Sequence, residues 1–298
     1  MSINITTAFV EQYRNNIELL VQQLASRLRG NVSEETVTGK SAFFEQVGVV
    51  EAQDVVSRHS DSPLANTPHA RRRVTLVTKE IGDLVDDEDK VRMLIDPTSS
   101  YARVQAAALG RAIDSAIITA ATGSADTGVD GSTSTALPTA SKVAVDYVES
   151  GSAANSGLTV AKLRQARQQL AEQEAITQGQ KVCIVVAAQQ VHDLLTDEEV
   201  TSSDYNTVKA LVNGEINTYM GFDFVRTELT ALNTSTDVRT CFAFTDDGLM
   251  LAIGRNPTVE IARRPDKRFS TYVYSAMDIG ATRMQEEKVV QILCDESP

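Results

Sequence analysis

Hydrophobic residues recur at steps of three and four through residues 8 to 28: Phe9, Tyr13, Ile17, Leu20, Leu24 and Leu28 fall on one face, with Glu11, Arg14, Asn15, Glu18, Gln22 and Gln23 on the other. This spacing predicts an amphipathic helix ending at Gly30, whose stripe must lie on its own body or on a neighbouring copy. The pattern then changes. Ser41 to Val56 and Arg73 to Glu80 read as strands, and the segment between them holds Pro63 and Pro68 among Ser, Asp and Asn, a composition that blocks both helix and ladder. The expectation is a two-stranded arm with a loop tip, and a lone hairpin is marginal in water unless it packs on something else.

Asp96-Pro97 is a helix-start signal and Gly123 a stop signal, which predicts a helix from about Pro97 to Thr122. Its expected buried stripe is Tyr101, Val104, Ala108, Ala112, Ala116 and Ala120, with Leu109, Ile113 and Ile117 beside it. Residues 123 to 157 are rich in Gly, Ser, Thr and Ala and read as loop around at most one short strand or hairpin near Lys142 to Val148. Thr159 caps the next helix, with Leu158 and Leu163 as a hydrophobic staple. Beyond it, strand Lys181–Ala187, helices near Ala188–Leu195 and Tyr205–Ile216, and strands Phe222–Thr227, Cys241–Thr245 and Leu249–Ile253 predict a mixed α+β domain. Three more strands, Thr258–Arg263, Phe269–Met284 and Lys288–Cys294, are expected to return to the first body as a sheet under the long helix.

Charge removes one class of function. Asp plus Glu number 40 against 28 Lys plus Arg, a formal net charge of −12, the wrong sign for a protein whose main task is gripping nucleic acid. No apolar run is long enough to span a membrane, and the amino-terminal residues lack a signal-peptide pattern. Cys183, Cys241 and Cys294 form no CxxC pair, so no zinc site or disulfide framework is expected. No phosphate loop, dinucleotide fingerprint, zinc-protease helix or serine elbow is present, and no cofactor, metal or catalytic residue is assigned; His59, His69 and His192 receive no role. Asp126-Thr127-Gly128 matches the triplet with which aspartic proteases place one of two carboxylates, but it follows Gly-Ser-Ala inside a loop rather than an apolar strand. Two local charge runs stand out: Arg71, Arg72 and Arg73 at the base of the arm tip, and Asp83, Asp86, Asp87, Glu88 and Asp89 just after it. One reading pairs the arginines of one copy with the acidic run of another, since guanidinium forks suit carboxylates; the competing reading is two solvated faces.

The order of these elements, and the stretches VTGKSAFFEQVG, SPLANTPHARRRVTL, DLVDDEDKVRMLIDPTSSYA, EVTSSDYNTVKALVNGEI, RRPDKRFSTYVY and GATRMQEEKVVQI, resemble the major capsid proteins of tailed double-stranded DNA bacteriophages, with the Hong Kong ninety-seven type fold. The resemblance spans Met1 to Ser297. It implies an α+β fold with an N-arm (1–38), an extended two-stranded E-loop (39–82), a P-domain with a spine helix (83–157 and 255–298) and an A-domain (158–254). It further implies a structural, non-enzymatic coat protein of the virion, made in the host bacterial cytoplasm. Pentamers and hexamers of such a protein would close an icosahedral shell around DNA held without sequence-specific contacts. A separate scaffolding protein, a portal and a cement or decoration protein are the further implied partners; the chain begins without a long helical prosegment, in keeping with scaffolding supplied separately. Contact candidates between copies are Phe9, Tyr13, Ile17, Leu20, Leu24, Arg71, Arg72, Arg73, Asp86, Asp87 and Asp89. An encapsulin-like nanocompartment shell and, further off, a hydrolase built on Asp126 are the alternatives.

Overall fold

A computed structural model describes residues 22–54, 57–58, 64–86, 98–149, 151–177, 179–196 and 218–297. Most of the predicted amino-terminal helix, and the one at 205–216, lie outside these residues. From Gln22 to Leu28 the chain is not helical but an irregular strap, closed by a 3-10 turn at Arg29–Asn31. The reason is competition from a side chain remote in sequence: the backbone N–H groups of Arg27 and Leu28 donate to the Asp114 carboxylate instead of to a preceding turn.

Strands β1 (Ser33–Thr36), β2 (Ser41–Val47), β3 (His69–Thr75) and β4 (Val77–Val85) follow. β2 stops well short of the predicted Val56. Gly48 N–H still donates to the Pro68 carbonyl, but Pro68 has no N–H to return and the ladder ends there. The predicted strand Arg73–Glu80 is two strands, because the chain changes sheets at Leu76, whose N–H donates to the Lys40 carbonyl. The long helix α1 (Thr98–Thr122) matches its expected span. The stretch after it, read as loop, contains the hairpin β5 (Ala125–Thr127) and β6 (Thr133–Thr135), turned by Gly128 and Gly131 at positive φ and held by a ladder to β3. Then come β7 (Lys142–Val143), α2 (Val160–Glu172), β8 (Val182–Val186), α3 (Ala188–Thr196), β9 (Thr218–Tyr219), β10 (Phe222–Arg226), β11 (Leu232–Asn233) and β12 (Val238–Thr245). The carboxy-terminal strands are β13 (Leu249–Arg264), β14 (Ser270–Arg283) and β15 (Val289–Asp295). Two predicted strands, Leu249–Ile253 and Thr258–Arg263, are therefore one, interrupted only by bulges around Arg255, and the expected division at 254/255 falls within it.

Among the described residues three sheets form: β2-β3-β5-β6; β1-β13-β14-β4; and a mixed sheet β7-β15-β12-β8-β10-β9 with β11 beside β12. The last three strands do not share one sheet, as β15 pairs along its length with β12. Every residue of β8 is buried, which explains its unbroken apolar run: Val182, Ile184 and Val186 face a core with α2 residues Leu163, Ala166 and Leu170. Cys183 and Val185 face the other way, with Phe242 and Phe244, onto α1. That second core also takes Leu251, Ile253, Met277 and Ile279, so α1 is gripped between two sheets. The buried row of α1 is Leu109, Ile113, Ile117 and Ala121, not the predicted stripe. The larger side chains bury more apolar area per position, and Ala112, Ala116 and Ala120 line an open groove beside β4 and β14 instead. Thr159 caps α2 by accepting from Lys162 N–H, and the staple residues Leu158 and Leu163 are both buried.

Candidate functional site

The sequence pattern of β2 and β3 builds a projecting hairpin, in register from Ser41 opposite Thr75 to Val47 opposite His69. Its far end leaves Val47, Val49 and Leu64 at 66%, 91% and 97% exposure, an unusual amount of aliphatic surface for one chain to leave to water. Its root is fixed by polar contacts. The Gln46 amide and Arg72 Nε both donate to the Met284 carbonyl, the latter at 2.9 Å, and the Arg72 guanidinium pairs with Glu286. Glu286 also lies 3.6 Å from Arg283, which has no exposed surface and donates to the carbonyls of Ala121, Gly123 and Thr135 at 3.0, 2.8 and 3.2 Å. Arg283 thereby satisfies orphan carbonyls at the negative end of α1. Burial lowers its pKa, opposed by the Glu286 charge. One buried charge cluster thus joins the hairpin, the spine helix, β14 and the β5–β6 hairpin.

The arginine run is divided by strand alternation. Arg72 is buried and committed to Glu286 of its own chain, which takes it out of a neighbour's reach. Arg71 pairs with Glu45 across the ladder at 2.6 Å, on the surface. Arg73 sits opposite Asp126 and packs its stem on Gly131, where a Cβ would lie 2.3 Å from Arg73 Cδ. Asp126 is exposed on this ladder, paired with Arg73 on one side and Ser134 on the other, so the triplet that suggested an aspartic hydrolase lies in a short hairpin strand beside an arginine, not in a cleft.

The strap is fastened to α1 by Asp114, which has no exposed surface and accepts from Arg27 N–H, Leu28 N–H, the Ser26 hydroxyl and the Gln23 amide. Gly110, one turn earlier, lets the strap approach; a Cβ there would lie 2.9 Å from Ser26 N. Arg111 holds Gln22 and the Gln23 carbonyl. Of the predicted contact stripe, Leu24 is 59% exposed, while Phe9, Tyr13, Ile17 and Leu20 lie outside the described residues, as do Asp87 and Asp89. Asp86 accepts from the Ser270 hydroxyl at 2.6 Å.

Sequence reasoning missed Glu286, Arg283 and Asp114, each isolated in sequence from the groups it serves. It also missed the end of the β13–β14 hairpin, although RRPDKR is visible there as a basic run broken by a turn. Arg264 and Asp266 pair at 2.7 Å across a 3-10 turn, and Arg268 and Phe269 both take positive φ, leaving Phe269 59% exposed. Among the described residues, no helix is long and apolar enough to cross a membrane, and no three metal-ligating side chains cluster.

A projecting hairpin, a spine helix between two sheets and a strap along that helix define a subunit of the phage capsid type, and comparison with solved structures agrees. The capsid of cyanophage P-SCSP1u is similar at TM-score 0.74 and 17% identity, over 95% of this chain and 92% of that one. The capsid of Ralstonia phage GP4 follows at 0.71 and 12%, over 96% of each chain. The mature capsid of bacteriophage PhiM1 gives 0.69 and 12%, over 96% and 91%. Curated protein sequences returned no match. A sequence profile described as "Phage capsid protein" matches residues 5–296, and the chain belongs to that family. It is a structural protein of the virion shell that associates with copies of itself, with the Hong Kong ninety-seven type fold, and not an enzyme.

Proposed function

We propose that copies of this chain assemble as pentamers and hexamers into an icosahedral shell enclosing the double-stranded DNA of a tailed bacteriophage. In this reading residues 1–38 are the N-arm, 39–82 the E-loop, 83–157 with 255–298 the P-domain, and 158–254 the A-domain. The observation that carries it is the hairpin β2–β3, rigid at its root and aliphatic at its far end, a surface that becomes stable only when another subunit covers it. The N-arm stripe from Phe9 to Leu24 would be covered in the same way. A net charge of −12 suits a wall along which DNA packs without sticking. A scaffolding protein, a portal and a cement protein are the partners such a shell would use.

Negative-stain electron microscopy with light scattering of the purified protein tests this. Closed particles tens of nanometres wide, or rings of five and six, are expected. A uniform monomer or dimer across salt conditions, with and without the scaffold, would overturn it, and particles that natively hold a protein cargo and no nucleic acid would replace the genome with that cargo.

A further inference from the structure

The strap from Gln22 to Leu28 is tied to two layers of the fold. Toward α1, the Gln23 amide, the Ser26 hydroxyl and the backbone N–H groups of Arg27 and Leu28 converge on Asp114, the last two at 3.0 and 3.1 Å. Toward the mixed sheet, the Gln23 Oε1 accepts from the Thr227 hydroxyl at 3.4 Å, and the Arg27 guanidinium donates to the Arg226 carbonyl. Arg226 is the last residue of β10, and the N–H of the buried Thr227 extends the ladder to β8 by donating to the Val186 carbonyl at 2.9 Å. Leu28 is wholly buried in the core that α1 shares with Val185 and Phe242, and Val225 of β10 packs at its margin. Two strap residues therefore serve both layers. Gln23 gives one amide atom to Asp114 and the other to Thr227; Arg27 gives its N–H to Asp114 and its guanidinium to Arg226.

A segment held mainly by polar bonds and a single apolar anchor opens and closes as a unit, at a lower free energy than the core beneath it. Because Gln23 and Arg27 each span both layers, losing one tie misplaces the group that makes the other. We infer that the strap is a latch joining residues 1–21 to the mixed sheet: closed, it clamps the end of β10 to α1, and open, it frees both ties together. The strap is the covalent link between residues 1–21 and the rest of the chain, so a neighbour that holds those residues in a shell acts on the latch. Holding the latch closed steadies β10, and by reciprocity a closed latch favours that neighbour. Only this last step, from neighbour to latch, rests on the proposed self-assembly; the latch itself belongs to the single chain.

Hydrogen exchange read by mass spectrometry on the unassembled full chain tests the latch. Arg27→Met removes the tie to Arg226 but keeps the Arg27 N–H. It is expected to speed exchange in residues 26–29, on the far side of the strap, about tenfold, the factor that one lost hydrogen bond to a charged group puts on an opening equilibrium. Asp114→Asn weakens the other tie and is expected to speed exchange in residues 226–229 by a similar factor, although Asp114 bonds to none of them. Unchanged exchange in β12 and β15 shows that the core is intact, and Arg27 is exposed, so its substitution reads the coupling even where that of Asp114 lowers stability. Variants that each quicken only their own side of the strap would overturn the coupling. In assembled particles, residues 226–229 of the unmodified chain are expected to exchange more slowly than in the free subunit, and those of Arg27→Met no more slowly than in its own free subunit. Absence of slowing in the unmodified particles, or slowing that survives Arg27→Met, would overturn the transmission from residues 1–21. A chain that forms no particle or ring would overturn the assembly reading, while the free-subunit measurement still decides the latch.

Discussion

Lys162 shows how a single buried side chain holds distant segments together. It has no exposed surface, and its ammonium donates to the carbonyls of Val145, Ser156 and Leu293 at 2.9, 2.6 and 2.9 Å, tying the loop before α2 to β15. Burial lowers its pKa, against the raising influence of Cys294, Asp295, Cys241 and Asp146. Lys162→Met keeps the stem but strips three carbonyls of their donor. An expected loss of about 2–4 kcal/mol follows from the cost of orphaned buried acceptors, readable as a lower denaturation midpoint at constant slope. Asp114 is the reverse case, a buried acceptor serving four donors of the strap. Asp114→Ala is expected to cost about 3 kcal/mol for the same reason and to open Arg27 and Arg29 to trypsin in the otherwise folded chain. The cysteines give a third outcome. Burial pushes the Cys183 thiol up to about 11, and Cys241, hydrogen-bonded to Cys294 and buried, also titrates well above its ordinary value. All three thiols are buried, so a thiol reagent should label none of them in the native protein and all three in denaturant.

At the scale of elements, the hairpin β2–β3 is aimed by its root. Glu286→Ala would leave Arg72 and Arg283 buried without their carboxylate, a change expected to cost about 3–5 kcal/mol. Hydrogen exchange would be expected to quicken in β2 and β3 before it does in β8 or β12, whose ladders lie in the double-faced core. The carboxy-terminal strand is clasped by Glu296, which accepts from Arg239 and Gln190. Burial alone would raise its pKa, but the Arg239 and Gln190 hydrogen bonds outweigh it and the carboxyl titrates below the ordinary glutamate value. Because the folded pKa lies under the unfolded one, the unfolded chain binds more protons in the window between them. The stabilisation is whole above about pH 4.3 and fades as pH falls through the lowered pKa. Glu296→Gln is expected to flatten that part of the stability–pH curve, measured on the unassembled subunit.

At the scale of the whole molecule, surfaces unfinished in one chain are completed by others. Replacing residues 49–67 by Asn-Gly would join Gly48 to Pro68, already hydrogen-bonded, through a two-residue turn. The shortened chain is expected to fold with an unchanged melting temperature yet form no closed particles by electron microscopy, because it has lost Val49, Val50 and Leu64 but none of the core formed by the described residues. Retention of normal particles would show that the hairpin's far end does not bridge subunits.

The sequence by itself determined the elements whose signals are local: the span of α1, Thr159 and its staple, the hydrophobic run of β8, and strands β14 and β15. The resemblance of its blocks to phage capsid proteins led to the family that residues 5–296 match. Tertiary structure decided what depends on partners remote in sequence. It turned α1 so that Leu109, Ile113 and Ile117 took the core from the alanine row, because burial rewards the larger side chains. It ended β2 at Val47 because Pro68 cannot donate, and it joined two predicted strands into β13 because β14 offered one continuous ladder. It also sent Arg72 inward, toward a glutamate 214 positions away that no local pattern could nominate. Local hydrogen bonding and periodicity can be read from neighbours in the chain; the choice among faces, sheets and charge partners is made only where the folded backbone brings distant groups together.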